Sequence, residues 1–282
     1  MPGTLFLVAT PIGNLEDITA RALRVLGEVS LIAAEDTRRT SHLLTRYAIT
    51  TPTTSLHEHN ETRKAPSLIA RLMAGENIAV VSDAGMPLMS DPGEELVRLA
   101  IDAGIRIEPI PGPSAITTAL AVSGFPTQPF TFFGFPPTRS KDRKEWLERL
   151  SMQTFTVVFF ESPHRIRETL LEIRSNVGDC GAVVCRELTK IHEQLVRGPI
   201  SMVSDAAFLD TGELTIVLDL AHKPEITAKS AASDSELALE LGQITNQLKM
   251  PRRRAIQRLA RTHGRTPNDI YAAVERAKQS GK

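Results

Sequence analysis

Ile78-Ala-Val-Val-Ser-Asp-Ala-Gly-Met-Pro-Leu-Met-Ser-Asp-Pro-Gly93 decides how the rest of the chain is read. Its first four residues are apolar, too short a run for a helix and rich in β-branched side chains, so they predict a central strand of a parallel sheet. A loop leaves the carboxyl end of that strand. In open α/β sheets this is the end where ligands bind, because helix N-termini and free backbone groups converge there. Asp91 is expected to cap the following helix, with Pro92 at its first position and Glu94 completing a capping box.

Upstream, Thr4 to Ala9 predicts a first strand that runs through Thr10-Pro-Ile-Gly-Asn-Leu-Glu-Asp17 into a helix over Ala20 to Val29. That loop has only Gly13 where a dinucleotide fingerprint needs Gly-x-Gly-x-x-Gly, which disfavours a nicotinamide site. Ser30 to Ala34 predicts a second strand, ending in Glu35-Asp-Thr-Arg-Arg39, which is either a functional cluster or a capped helix with solvated arginines. Ser55-Leu-His-Glu-His-Asn-Glu61 reads as a polar loop over a cleft. His57 and His59 at this spacing, with no third ligand motif, are weak evidence for metal, and no metal is expected. Ile105 to Ile110 is a further strand, and Pro111-Gly-Pro-Ser-Ala115 leads into a small-residue helix. This alternation argues for a parallel sheet over residues 1–120.

After Pro126 the pattern restarts, with strands at Phe130 to Phe135, Phe155 to Phe160, Gly181 to Arg186 and Leu214 to Leu220, and a helix over Lys141 to Leu150. Glu161-Ser-Pro-His-Arg165 is expected to open another helix with Ser162 as its cap. The expected organisation is α/β throughout: domains over 1–120 and 121–221 with a ligand cleft between them, a linker over 222–234, and a helical appendage over 235–282. The appendage resembles a helix-turn-helix, the alternative being a plain helical hairpin.

The 282 residues are 41% hydrophobic and 23% charged, enough for two cores, and no apolar stretch approaches the ~20 residues of a membrane span. A cytoplasmic protein is expected. Cys180 and Cys185 bracket a strand and read as buried free thiols rather than a disulfide or metal pair. The net charge of zero hides an asymmetry: residues 249–282 hold ten Lys and Arg against two Asp and Glu, a local charge of +8 that leaves −8 for the rest. Such a tail suits a polyanionic partner, with Arg252, Arg253, Arg254, Arg258 and Arg261 as phosphate contacts and Arg38, Arg39 and Arg165 as extensions of that surface.

Five segments in register, Ala9 to Ile18, Ala34 to Arg38, Ser82 to Gly93, Ile110 to Ala115 and Glu161 to Arg165, closely resemble the tetrapyrrole methylase superfamily, and within it the ribosomal RNA branch. The resemblance covers Leu5 to Leu220, and the basic tail is also similar to that branch. It implies an S-adenosylmethionine-dependent methyltransferase, typically a homodimer, acting on the ribose 2′-hydroxyl of a cytidine in small-subunit (16S) ribosomal RNA, free or in the 30S particle. Carried over by motif, donor contacts fall on Pro11, Gly13, Asp83, Gly85, Met86, Pro87, Ser114 and Ala115, with Phe160 and Glu161 on the opposite wall. Relatives that methylate corrin-type rings carry a Gly-x-Gly-x-Gly-Asp-like first loop. Its absence here favours the RNA branch over a tetrapyrrole or corrinoid methyltransferase. The remaining alternative is a non-catalytic RNA-binding ribosome-assembly factor. A ribose hydroxyl is a weak nucleophile, so a general base is expected, Glu161 first and His57 among the other candidates, although Glu161 equally suits a helix-entry carboxylate.

Overall fold

The computed structural model describes residues 1–207, 211–223, 234–247, 251–262 and 266–280. Most of the expected linker, the turn at 263–265 and the side chain of Arg261 lie outside the described residues. The chain falls into two compact units, 1–224 and 225–282.

The first unit holds two five-stranded sheets. One is wholly parallel, with order β3-β2-β4-β1-β5, built from β1 (Thr4–Val8), β2 (Leu31–Ala34), β3 (Thr53–Ser55), β4 (Ile78–Val81) and β5 (Arg106–Ile110). The Ile78 to Val81 run is its central strand, and every residue of it is buried. Alternation does the sorting. Ala79 and Val81 face a core with Val25 and Leu26 of α1 (Ala20–Glu28) and Leu43 and Leu44 of α2 (Thr37–Arg46). Ile78 and Val80 face Leu68 and Leu72 of α3 (Glu61–Met73) and Leu96 of α4 (Glu94–Asp102). Strand β3 was not legible in the sequence. Its Thr-Thr-Ser has no apolar signal, and its pairing with Ile32 to Ala34 of β2 makes it a strand.

The second sheet has order β6-β7-β10-β8-β9, from β6 (Phe130–Phe132), β7 (Thr156–Glu161), β8 (Gly181–Arg186), β9 (Gln194–Pro199) and β10 (Leu214–Asp219). Only β6 and β7 are parallel. One face packs on Trp146 and Leu150 of α6 (Ser140–Ser151) and Leu170 and Ile173 of α7 (Ile166–Val177). On the other face, Val158, Val183 and Val217 pack on Ile116, Ala119 and Leu120 of α5 (Ala115–Ser123). This explains the small residues of α5: the helix leaves the first sheet and covers the second. The boundary expected at residue 120 thus falls inside a helix. Strand β9 and the short α8 (Ile200–Val203) were not foreseen. Both cysteines are free and buried.

Two helix starts differ from expectation. Helix α4 begins at Glu94 with Gly93 as its cap residue, at φ 121°, and no side chain from Ser90 to Pro92 caps it. The cap comes from a distant segment: the Glu61 carboxylate accepts from Gly93 N and Leu96 N, both at 3.1 Å. Asp91 is left to face elsewhere. Likewise α7 starts at Ile166, because Ser162 to Arg165 form a turn in which Arg165 N and Ile166 N donate to the Ser162 carbonyl. Ser162 is therefore not a side-chain cap.

The second unit contains α9 (Asp234–Gln247), α10 (Arg252–Thr262) and α11 (Pro267–Ser280) around Leu237, Leu241, Ile256, Leu259, Ile270 and Val274. Thr266 and Asp269 form a reciprocal capping box at the start of α11. Arg276 ties α11 to Asp234 at 2.7 Å. No helix among the described residues is long and apolar enough to cross a membrane.

Replacing Glu61 removes a charged cap from two helix-entry amides at once. Glu61→Ala should lower unfolding free energy by about 1–2 kcal/mol, read as a shifted urea midpoint at unchanged slope.

Candidate functional site

The loops after β1 and β4 are laced together. Thr10 N donates to Gly85 O at 2.9 Å, Gly85 N donates to Thr10 O at 3.0 Å, and the Thr10 hydroxyl donates to Ser82 O at 3.1 Å. Gly85 sits at φ 82°, a left-handed conformation that a side chain would strain. Gly13, one turn along, touches the opposite half of the unit: a Cβ there would lie 2.6 Å from Leu188 O and 2.7 Å from the Thr189 hydroxyl. Asn14 N also donates to that hydroxyl at 3.0 Å.

These contacts bound a cavity of about 410 Å³ lined from both sheets. Asp83, Gly85, Met86, Ser114 and Ala115 form one side; Phe160, Glu161, Leu188 and Thr215 form the other. Pro11 and Gly13 instead line an adjoining cavity of about 200 Å³, which shares Ile12, Arg39, Asp83, Ala84 and Glu213 with the first. Pro87 and His57 do not line the larger cavity. Cys185 lines it, and burial pushes its thiol up to about 12, so it serves as neutral wall.

Three carboxylates, Glu35, Asp83 and Asp91, meet at one end of this cavity. Glu35 accepts from Asp83 N at 3.1 Å, while Asp83 accepts from Asp36 N at 3.1 Å and pairs with Arg39 at 3.2 Å. Asp91 is pushed up to about 6, first by burial and then by the charge of Glu35, with the Ser82 hydroxyl easing the shift. Burial also raises Glu35. Among the described residues, no group of three or more His, Cys, Asp or Glu side chains is arranged to hold a metal ion.

The candidate bases are placed differently from one another. Glu161 is buried with both oxygens occupied: one accepts from Ser162 N, the other from the Thr169 hydroxyl, each at 2.7 Å, and Arg165 lies 3.5 Å away. His57 sits in the turn before α3, where Asn60 Nδ2 lies 2.9 Å from its Nε2, and its buried Nδ1 has no hydrogen-bond partner. Of the arginines, Arg38 is highly exposed and pairs with Asp36, holding that carboxyl far below its ordinary range. Arg39 reaches the cavity. Arg165 is partly exposed, and its guanidinium donates to Pro136 O at 2.8 Å and so braces a loop. Arg252, Arg253, Arg254 and Arg258 are all exposed on α10. Arg252 pairs with Glu275 at 2.6 Å.

Residues 4–204 match the model of the Tetrapyrrole (Corrin/Porphyrin) Methylases. The chain belongs to the tetrapyrrole methylase family. Its relatives include the Ribosomal RNA small subunit methyltransferase I of Escherichia coli O157:H7, 42% identical over 274 residues, covering 95% of this chain and 93% of that one. The protein of the same name from Halalkalibacterium halodurans is 51% identical over 198 residues, 70% of this chain and 68% of that one. In fold, the methylase resembles a uroporphyrin-III C-methyl transferase from Thermus thermophilus complexed with S-adenyl homocysteine. That match has a TM-score of 0.56 and 16% identity and covers 77% of this chain and 98% of that one.

Sequence reasoning missed Asp91 as a cavity residue of this methylase because the Ser-Asp-Pro-Gly string reads locally as a helix cap. Glu35 was visible only as part of a charged strand end. The signal that could have found both is the convergence of acidic residues at the carboxyl ends of adjacent strands.

Because folding raises the Asp91 pKa, its ionisation costs stability that is fully recovered below about 4 and lost as pH rises through about 6. Asp91→Asn should therefore stabilise the protein by roughly 1–3 kcal/mol at pH 8 and by little at pH 4, measured by urea unfolding at both pH values.

Proposed function

We propose that this chain transfers a methyl group from S-adenosylmethionine to the ribose 2′-hydroxyl of a cytidine in small-subunit ribosomal RNA. The observation that carries the reading is the shared cavity, where carboxylates and close backbone approach meet an apolar wall. The relatives' names and the +8 tail support the RNA substrate. The donor supplies an electrophilic methyl on a positively charged sulfur.

The chain's residues fit such a molecule. Glu35, Asp83 and Asp91 offset positive charge, Gly85 and the entry of α5 at Ser114 and Ala115 let backbone approach closely, and Phe160 with Met86 gives apolar contact. Pro11 and Gly13 act one step back, by shaping the loop that closes the site. Asp91 is the best-placed acceptor for the hydroxyl proton: it faces the cavity and titrates near neutrality, where a base works well. Glu161, first choice from the sequence, is buried and already accepts from Ser162 N and the Thr169 hydroxyl, and in this reading it fixes the wall that carries Phe160. His57 lies outside the cavity lining and takes no part.

Arg39 at the cavity, with the exposed arginines of α10, would hold RNA phosphates. A cytoplasmic homodimer belongs to the same reading. Exposed Phe130, Met152 and Phe155 around edge strand β6 offer apolar surface for a second copy.

Labelled donor incubated with undermethylated small subunits should mark a single cytidine 2′-oxygen; no incorporation into subunits or free 16S RNA would overturn the proposal. In the same assay Asp91→Asn should slow single-turnover transfer by about 10²-fold or more. Asp83→Ala should weaken donor binding about tenfold in calorimetry, as expected for loss of a charged hydrogen-bonding partner.

A further inference from the structure

Helix α10 carries five arginines and no acidic residue between Arg252 and Thr262. Its apolar side, Ala255, Ile256 and Leu259, is buried against Ile270, Ala273 and Val274 of α11. The core of the three-helix unit is complete without Tyr271, which stands 52% exposed. Beside Tyr271 a groove of about 480 Å³ runs between the two helices. Its polar lining is Arg252, Arg253, Gln257 and Asn268. Arg253 and Gln257 are four residues apart and share a helix face; Asn268 lies in the first turn of α11.

The arginines have different tasks. The Arg252 guanidinium is pinned by Glu275 at 2.6 Å and lies 5.6 Å from the Tyr271 ring centroid, a cation–π geometry that steadies the ring. Its charge is largely spent within the unit. Arg253, exposed at the groove's edge, is the cation that faces outward. A planar ring for stacking, two carboxamides that can donate and accept, and an adjacent guanidinium make a donor and acceptor set suited to an unstacked nucleotide. An acidic peptide would match the charge but leave the ring and amides without partners.

We infer that the groove between α10 and α11 binds one unpaired nucleotide of the RNA substrate. Tyr271 stacks on the base, Gln257 and Asn268 hydrogen-bond its edge, and Arg253 holds its phosphate. The inference rests on the ribosomal RNA reading above and gives the second unit a base-contacting role beyond its charge.

The test is equilibrium binding of the full chain to a fluorescent single-stranded oligouridylate of about ten nucleotides, and to an RNA duplex of matched length, across a salt series. Tyr271→Ala should weaken single-strand binding about ten- to a hundredfold, leave the salt slope unchanged and affect duplex binding far less. Tyr271→Phe, which keeps the ring, should bind like the parent. Arg253→Ala should lower the slope of log affinity against log salt by about 0.7, the value for one phosphate of a single strand. Unchanged single-strand binding by Tyr271→Ala would overturn the inference, as would an equal loss for single strand and duplex. Displacement of the oligouridylate by polyglutamate at matched charge, equal in parent and Tyr271→Ala, would also overturn it and point to an acidic protein partner. Chemistry is absent from these measurements. Failure of the parent to methylate small subunits would thus count against the proposed function and not against the groove.

Discussion

Between the loop after β1 and the loop after β8 there is no room for a methyl group, since a Cβ on Gly13 would overlap the backbone oxygen of Leu188. The remainder of the first unit depends on this close approach. It brings the strand ends of a parallel sheet to those of a mostly antiparallel one, and the Asn14 to Thr189 hydrogen bond holds them in register. Helix α5 completes the junction from behind, lying against β7, β8 and β10 with side chains small enough to fit. The cavity is the space this junction leaves. Its walls belong to different sheets, so neither half supplies the site alone.

The legible parts of the fold were those where burial acts on contiguous residues. Strands β1, β2, β4, β7, β8 and β10 announce themselves through apolar runs, because both faces are covered and no polar alternation interrupts them. The edge strands β3 and β9 do not. Thr53 to Ser55 is polar, and Gln194 to Pro199 contains Arg, Gly and Pro, so pairing with a neighbour, which sequence periodicity cannot show, makes them strands.

Helix starts failed for a related reason. Local grammar makes Asp91 and Ser162 good caps, but Glu61, over thirty residues upstream, already serves the amides of α4, and a preceding turn serves α7. Once Asp91 is released from capping, the loop that carries it can hold Leu88 and Ser90 at φ 71° and 73° and turn the carboxyl inward. Motif resemblance located Asp83, Gly85, Met86, Ser114, Ala115 and Phe160 in one place, yet it gave no account of which neighbour constrains which. Pro11 and Gly13 show the gap: they sit in the same motif, yet they line the adjoining smaller cavity and Gly13 also forms the joint with Leu188.

The acidic end of the cavity has a consequence for turnover in the proposed reaction. Glu35, Asp83 and Asp91 repel one another, and a cation among them relieves that repulsion. The methyl donor carries such a charge and the spent thioether does not. In that reaction the spent thioether lacks the charge that held the donor, while the hydroxyl proton taken up by Asp91 relieves the repulsion in its place. The change of charge at sulfur would thus favour exchange of product for fresh donor once that proton has left Asp91.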